Sequence, residues 1–539
     1  MTKIKAPNLN LSPHILAKIT HYALWISFAG LGFLFITELG FSMAWRMEHD
    51  TPLLHYVAFL INEHDYVPYR DVFETSMPGS ILFHMAIGKG LGYQDLAIRI
   101  VDVVYLLLLM VVSGAYLRRF GSLAAILAPL CFAIFYLSYG PLMSLQRDYL
   151  GLLPIAVAIW ISLRFQSQKF HLVLVNGALF GIAALFKPHL LLGLPLITTY
   201  QSYQYQMALH EVINKGLWVR HAILCFLLAL GGAIVVVAIP LLWLWIIGAW
   251  PAFWSMVWDY LPLHIQLTVN HSILAPGERF SYLLGTYIKF GGYSLLCVPI
   301  LLVLILFWRK EISLPRAPTL LMLSLTLLYS VYPIFSGQFW NYHWMPFYYF
   351  AFMCLGIAAS VLQPAFSKSS VVDVPITQKH YAVMLVVIFV LSLTLKVTPT
   401  LGRQLQGQAL TPPENGRVDQ IAQWLSNALA PGEKIQVMDW TSGAVHALLE
   451  AHVPIATRFI YDYHFYHHVS NPYIIQLRQE FVQALSIAAP RYILIVTDKH
   501  KPRGWDTSTG FPQLQEYLKQ NYQITASQNG YVILSRKVM

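Results

Sequence analysis

Tyr66-Val-Pro-Tyr-Arg-Asp-Val-Phe-Glu-Thr-Ser-Met-Pro-Gly79 lies between two long apolar regions and decides how the rest of the chain is read. It is bracketed by Pro68 and Pro78 and carries Arg70, Asp71 and Glu74. Ionisable groups this close to membrane-length apolar runs are costly unless they bind or react with something. The stretch is therefore the first candidate site.

Working outward, the 539 residues are 57% hydrophobic, 14% aromatic and only 11% charged. Soluble globular chains carry about 25% charged residues, so the composition describes a polytopic membrane protein. The formal charge of +10 comes from short basic clusters between apolar runs, not from one basic face. That pattern has a topological cause and argues against nucleic acid. Cys131, Cys225, Cys297 and Cys354 all lie in apolar runs without CxxC spacing, so no disulfide framework or zinc site is implied. The first apolar run ends in Glu38 and Arg46 without a small-residue cleavage pattern, and reads as an uncleaved helix.

About eleven runs are long enough to be spans: 22–40, 96–117, 122–140, 149–163, 172–186, 188–201, 222–248, 282–307, 318–336, 346–363 and 381–398. Lys187-Pro188 interrupts the pair from 172 to 201, which reads either as two spans or as a re-entrant hairpin. Lys and Arg concentrate in alternate loops, which predicts a cytoplasmic N-terminus. The 41–95 loop, the Tyr139–Asp148 turn, the 249–281 loop and the Gly337–Pro346 turn then share the external face. Within the first of these, Leu53–Ile61 and Ser80–Leu91 have helical apolar spacing and suit helices lying along the membrane surface. The expected division is a membrane domain over residues 1–400 and an extracytoplasmic α/β domain over 401–539, entered through Gln404–Gly416. In the second part, helices at 418–429, 443–451, 473–487 and 512–520 alternate with strands at 434–439, 455–460, 491–496, 523–526 and 531–535.

Asp71 and Glu74 are three residues apart, so one helical turn would point both carboxylates to one side. Desolvation raises and Arg70 lowers such a carboxylate, a setting suited to a general base. The alternative is an Arg70–Asp71 pair capping an interfacial helix. Gln146-Arg147-Asp148 brings a second acidic site to the same face, and Asp148 could equally complement a helix N-terminus. Lys187 is a cation at membrane depth, and Arg279 ends an external loop. Tyr342 and His343 sit in Gln338-Phe-Trp-Asn-Tyr-His-Trp-Met-Pro346. Cations beside an apolar groove suit a phosphate with a hydrocarbon tail, whereas snorkelling explains Lys187 and an aromatic belt explains Trp340 and Trp344 as well. Asp95, Arg99 and Asp102 read as an ion-pair ladder, with Arg99 a lesser phosphate candidate. Asp462-Tyr-His-Phe-Tyr-His-His468 has imidazoles at metal-like spacing but no partner cysteine, and reads more simply as a solvated aromatic loop.

The constellation resembles the GT-C glycosyltransferases, multispanning enzymes that take a sugar from a polyprenyl-phosphate carrier. The likeness rests on Val67–Gly79, Arg99, Gln146–Asp148, Phe186–Pro188 and Gln338–Pro346, and is nearest to bacterial members related to protein mannosyltransferases and aminoarabinose transferases. It departs in having a single Pro78 where many relatives have two prolines. The resemblance implies a catalytic base at Asp71 with Glu74 beside it, and lipid-phosphate contacts at Lys187, Arg279 and His343. It implies a polyprenyl-phosphate sugar as donor and a glycan, lipid or protein acceptor, and leaves the sugar and any divalent metal open. It also implies a bacterial inner membrane location with the C-terminal domain periplasmic. A transporter or flippase of a lipid-linked sugar is the competing class, though its binding groups would be expected near the midplane.

Overall fold

The computed structural model describes residues 13–165, 170–209, 215–289, 297–309, 314–360, 412–528 and 530–537. Its first part is helical: α1 (Pro13–Ser42), α2 (Asp50–His64), α3 (Pro78–Leu91), α4 (Asp95–Leu117), α5 (Ser122–Leu137), α6 (Arg147–Leu150), α7 (Leu152–Arg164) and α8 (Phe170–Phe186). There follow α9 (Leu194–Leu209), α10 (Lys215–Ile246), α11 (Trp250–Ser255), α12 (Leu261–His264), α13 (Arg279–Ile288), α14 (Cys297–Arg309), α15 (Arg316–Ser336) and α16 (Met345–Ala359). Among the described residues, four helical stretches are long and apolar enough to cross a membrane: Trp25–Ser42, Asp95–Phe120, Gly216–Ile246 and Arg316–Ser336. Ser122–Leu137, Phe170–Phe186 and Cys297–Trp308 are shorter apolar helices. The expected eleven spans are thus not reproduced as eleven uniform helices. Of the run at 282–307, α13 covers the start and α14 the end, while 290–296 and the segment 381–398 lie outside the described residues.

Small residues set how closely these helices approach. A Cβ on Gly177 of α8 would stand 1.8 Å from the carbonyl oxygen of Ala229, and one on Gly232 of α10 would stand 2.3 Å from that of Leu174. The two backbones touch because neither position carries a side chain. The first loop contains the two expected helices, α2 and α3, packed on each other.

Residues 412–537 carry a four-stranded sheet in the order β2-β3-β6-β5, formed by β2 (Gln436–Met438), β3 (Tyr492–Val496), β5 (Tyr522–Gln528) and β6 (Tyr531–Arg536). β2 runs parallel to β3, whereas β3–β6 and β6–β5 are antiparallel. Helices Arg417–Ala428, Ala444–Glu450, Pro472–Ala488 and Pro512–Asn521 alternate with the strands as the periodicity predicts. The strand expected at 455–460 does not form and leaves one bridge, Ile435 to Ile455. The Gln436 side chain takes its place: it donates to Phe459 O at 2.9 Å and accepts from Thr457 N at 3.2 Å.

This sheet domain is docked on the loops of the helical part. Phe73 N donates to Arg458 O at 2.7 Å, Tyr56 OH to Val453 O at 2.9 Å and Tyr66 OH to Ile455 O at 3.0 Å. The short strand β1 (Ser272–Ile273) pairs in parallel with β4 (Arg503–Gly504). Tyr56, Leu60, Tyr69 and Val72 share one core with Val418, Ile421, Leu448 and Ile455. Docking also overturns the expectation of a solvated aromatic loop at 462–468. Tyr463, His464, Phe465, Tyr466 and His467 are buried, with His464 4.6 Å from the ring of Phe73. Asp462 there is spent on Lys499 and on Tyr466, whose hydroxyl donates at 3.2 Å.

Candidate functional site

The docked domain and the helical part form the walls of a narrow pocket that is partly open to solvent. From the first loop it is lined by His49, Asp50, Leu53, Leu54, Glu74, Thr75 and Ser76. Arg147, His264, His271, Trp340 and Tyr342 come from the other three loops, and Trp440 and Tyr461 from the sheet domain. All four segments expected on one face therefore meet here.

Asp50 opens α2, where a carboxylate complements the helix N-terminus. Arg147 Nη2 donates to its Oδ2 at 2.8 Å, and His49 Nδ1 lies 2.9 Å from Oδ1. Burial pushes this carboxyl up, but His49 and Arg147 outweigh burial and hold it well below the usual carboxylate range. Burial and Arg147 push His49 down, but Asp50 outweighs them and holds it above the ordinary imidazole value. Arg147 also donates through Nη1 to Ser76 Oγ at 3.0 Å, and its Nε is buried with no partner. The indole N–H of Trp340 is likewise buried without a hydrogen-bond partner, and the Tyr342 hydroxyl lies beside Arg147. These donors lie at one pocket, while burial and the nearby Arg147 hold His264 down to about 3, so that it is neutral at pH 7.

The segment after Pro68 is not helical, and Tyr69 adopts a left-handed φ of 64°. Asp71 and Glu74 therefore do not share a side. Asp71 is 36% exposed, paired with Arg70 at 2.9 Å, and takes Val67 N at 2.9 Å. Arg70 holds its carboxyl below the usual range, and neither residue lines the cavity. Glu74 is 4% exposed and its Oε1 accepts from Thr75 N and Ser76 N, both at 2.8 Å. Burial pushes its carboxyl up.

Asp148, next to Arg147, is fully buried and takes the Tyr332 hydroxyl at 2.5 Å, with Lys187 Nζ at 3.5 Å. Lys187 also lies within electrostatic reach of Arg147 and Asp50, so it borders the cavity without lining it. His343 is 1% exposed, has a buried Nδ1 with no partner, and feels both Lys187 and Arg147. Arg279 stands apart. Its guanidinium donates to Ile265 O at 2.6 Å, Gln266 O at 3.0 Å and Gly337 O at 2.6 Å. Gly337 ends α15 with φ 73°, and a Cβ there would lie 2.3 Å from Arg279 Nη2. In α4, Arg99 pairs with Asp102 at 2.5 Å, but Asp95 leaves the expected ladder for Arg46 and His446.

The one group among the described residues spaced to hold a metal is Asp95, His446 and Glu450. Arg46 already supplies its positive charge, donating to Asp95 at 2.7 Å and to Glu450. Sequence reasoning passed over Asp50 and His49, although a charged triplet, Glu48-His-Asp50, closes the first apolar region in the same loop. Trp440 and Tyr461 had no local signal, since only the docking brings them to the cavity.

No family model matches the chain, and no curated protein matches it. Among solved structures it is similar to ArnT from Cupriavidus metallidurans bound to undecaprenyl phosphate, with TM-score 0.56 and 14% identity over 96% of this chain and 98% of that one. The apo state of the same protein gives TM-score 0.53 at 14% identity over the same shares. AglB from Archaeoglobus fulgidus, in complex with an inhibitory peptide and a dolichol-phosphate, gives 0.47 at 10% identity over 88% and 70%. At these identities the likeness is one of fold, and the chain has the GT-C fold over 96% of its length.

Proposed function

We propose that the chain is an integral membrane glycosyltransferase that moves a sugar from a polyprenyl-phosphate carrier to an acceptor hydroxyl. The observation that carries this reading is the pocket in which Asp50 is held against Arg147, with Glu74, Tyr342 and the unpaired Trp340 indole around them. The undecaprenyl phosphate bound by the structurally similar ArnT agrees with it.

In the proposed reaction the acceptor oxygen attacks the anomeric carbon as the bond to the carrier phosphate breaks. The acceptor proton passes to Asp50, and the charge on the departing phosphate is met by Arg147, Tyr342 and Trp340, with Lys187 and His343 behind them. Asp50 held low is a weak base in the empty site. An arriving phosphate draws Arg147 from it, and the carboxylate regains basicity when the acceptor needs it. A single displacement gives inversion at the anomeric carbon. On this reading the base is Asp50, and Asp71 with Arg70 serves the loop outside the cavity. The N-terminus is cytoplasmic, and the cavity with its docked domain faces the external side of a bacterial inner membrane.

The test is the glycan and lipid profile, by mass spectrometry, of cells with the intact protein, Asp50→Asn, Asp71→Asn or none. Loss of one sugar in the null and Asp50→Asn cells, but not in Asp71→Asn, is the expected result. The reverse pattern returns the base to Asp71. A profile unchanged in the null cells overturns the transferase reading.

A further inference from the structure

The cavity has two chemically different walls. On the helical side it presents Asp50, Glu74 and Arg147; on the docked side it presents Trp440 and Tyr461. Trp440 is held firmly. It follows β2, and the Asp439 carboxylate accepts its main-chain N–H at 2.6 Å together with those of Ser442 at 3.1 Å and Ala444 at 2.9 Å. Tyr463 stacks on the indole at 4.5 Å with an interplanar angle of 25°, and Tyr461 meets it nearly edge-on at 5.0 Å. The indole is therefore a fixed flat surface bordering a charged cavity.

A sugar ring has the matching division. One face is a patch of C–H groups with slight positive charge, suited to the negative face of an aromatic ring, and its rim carries hydroxyls for carboxylates and guanidinium. A hydrocarbon chain would fit the aromatic wall but would strip water from Asp50, Glu74 and Arg147 without replacing its hydrogen bonds. We propose that Trp440, with Tyr461, is a sugar-binding wall, so that the sheet domain forms part of the substrate site and not an accessory to it. The inference rests on the transferase reading only for whether the sugar is that of the donor or of the acceptor.

The test uses the full-length protein in phospholipid nanodiscs free of glycoside detergent. Saturation-transfer difference NMR is recorded with a panel of methyl pyranosides and, separately, with farnesyl phosphate as a short isoprenyl probe. For the pyranosides, saturation should reach the C–H protons of one ring face. It should fall about tenfold in Trp440→Ala and be largely kept in Trp440→Phe, in line with the energy of one aromatic contact. A thermal melt matching the intact protein certifies that Trp440→Ala is folded. Pyranoside saturation that is absent, or unchanged in a folded Trp440→Ala, overturns the proposal, as does Trp440-dependent saturation of farnesyl phosphate alone. Kinetics then separate the sources, since a raised KM for the lipid-linked donor assigns the wall to the donor sugar and a raised KM for the acceptor assigns it there. Pyranoside binding that depends on Trp440 in a protein without transfer activity would keep this inference and remove the transferase reading.

Discussion

Arg46→Met tests how the sheet domain is fastened over the cavity. Arg46 follows the first apolar helix and joins both parts of the molecule: it donates to Asp95 at 2.7 Å, to Asp419 at 2.6 Å and to Glu450. Side-chain exposure is 28% for Arg46, 19% for Asp95, 27% for Glu450 and 52% for Asp419. The Asp95 bond is the most sheltered, but Asp95 opens α4 in the helical part, so this bond orients Arg46 and does not itself hold the sheet domain. The pairs with Asp419 and Glu450 cross to the sheet domain and are worth about 0.5 kcal/mol each after screening. Methionine keeps the apolar stem, so a loss of about 1 kcal/mol in docking is expected, or roughly fivefold more of the undocked state. Hydrogen exchange should register this as faster opening of Ala444–Glu450 and of the Met47 amide, which donates to Asp95 at 2.8 Å. The strands β3 and β6 should exchange as before. Exchange at Ala444–Glu450 within about threefold of the intact protein, equivalent to roughly 0.7 kcal/mol, would refute the fastening role.

Three further outcomes follow. Asp50→Asn should lower transfer in membranes by roughly 10²–10⁴ with protein abundance unchanged, as for loss of a general base; a steady-state assay with lipid-linked donor that shows less than a threefold change would exclude Asp50. Glu74→Gln should stabilise the fold near neutral pH, because burial raises the folded pKa above the unfolded one and the charged form is penalised as pH rises through it. Gln keeps an acceptor for Thr75 N and Ser76 N, so a melting temperature a few degrees higher at pH 7, with the gain vanishing toward pH 4, is expected. Arg279→Met leaves three carbonyls without their donor and should cost about 2–3 kcal/mol of stability in denaturation; unchanged stability with a raised donor KM would instead restore Arg279 to phosphate binding.

The long apolar runs and the Pro-bracketed loop made the helical part and α2 and α3 legible, because a hydrophobic pattern reports burial directly. Alternating periodicities did the same for β3, β5 and β6. The site was legible as a meeting of four loops, and Arg147 and Tyr342 do line it. What could not be read was orientation within those loops. Asp71 and Glu74 differ because the backbone from 71 to 75 is not helical, which no local pattern announces, and so one carboxylate reaches solvent while the other is buried. The resemblance implied a phosphate contact at Arg279, and the three carbonyls that its guanidinium meets come from segments no local pattern joins to it. The aromatic run at 462–468 was placed in water because its burial depends on Phe73 and Tyr260, which arrive from other segments.

The pocket lined by Asp50 from one part and Tyr461 from the other also sets a clock on synthesis. Ribosomes release the first loop early and the sheet domain late, so a partly made chain embedded through α1 to α16 has its charged floor but no roof. Such an intermediate holds only part of the pocket's lining. The pocket is then completed in one step, when the sheet domain folds down onto loops made long before.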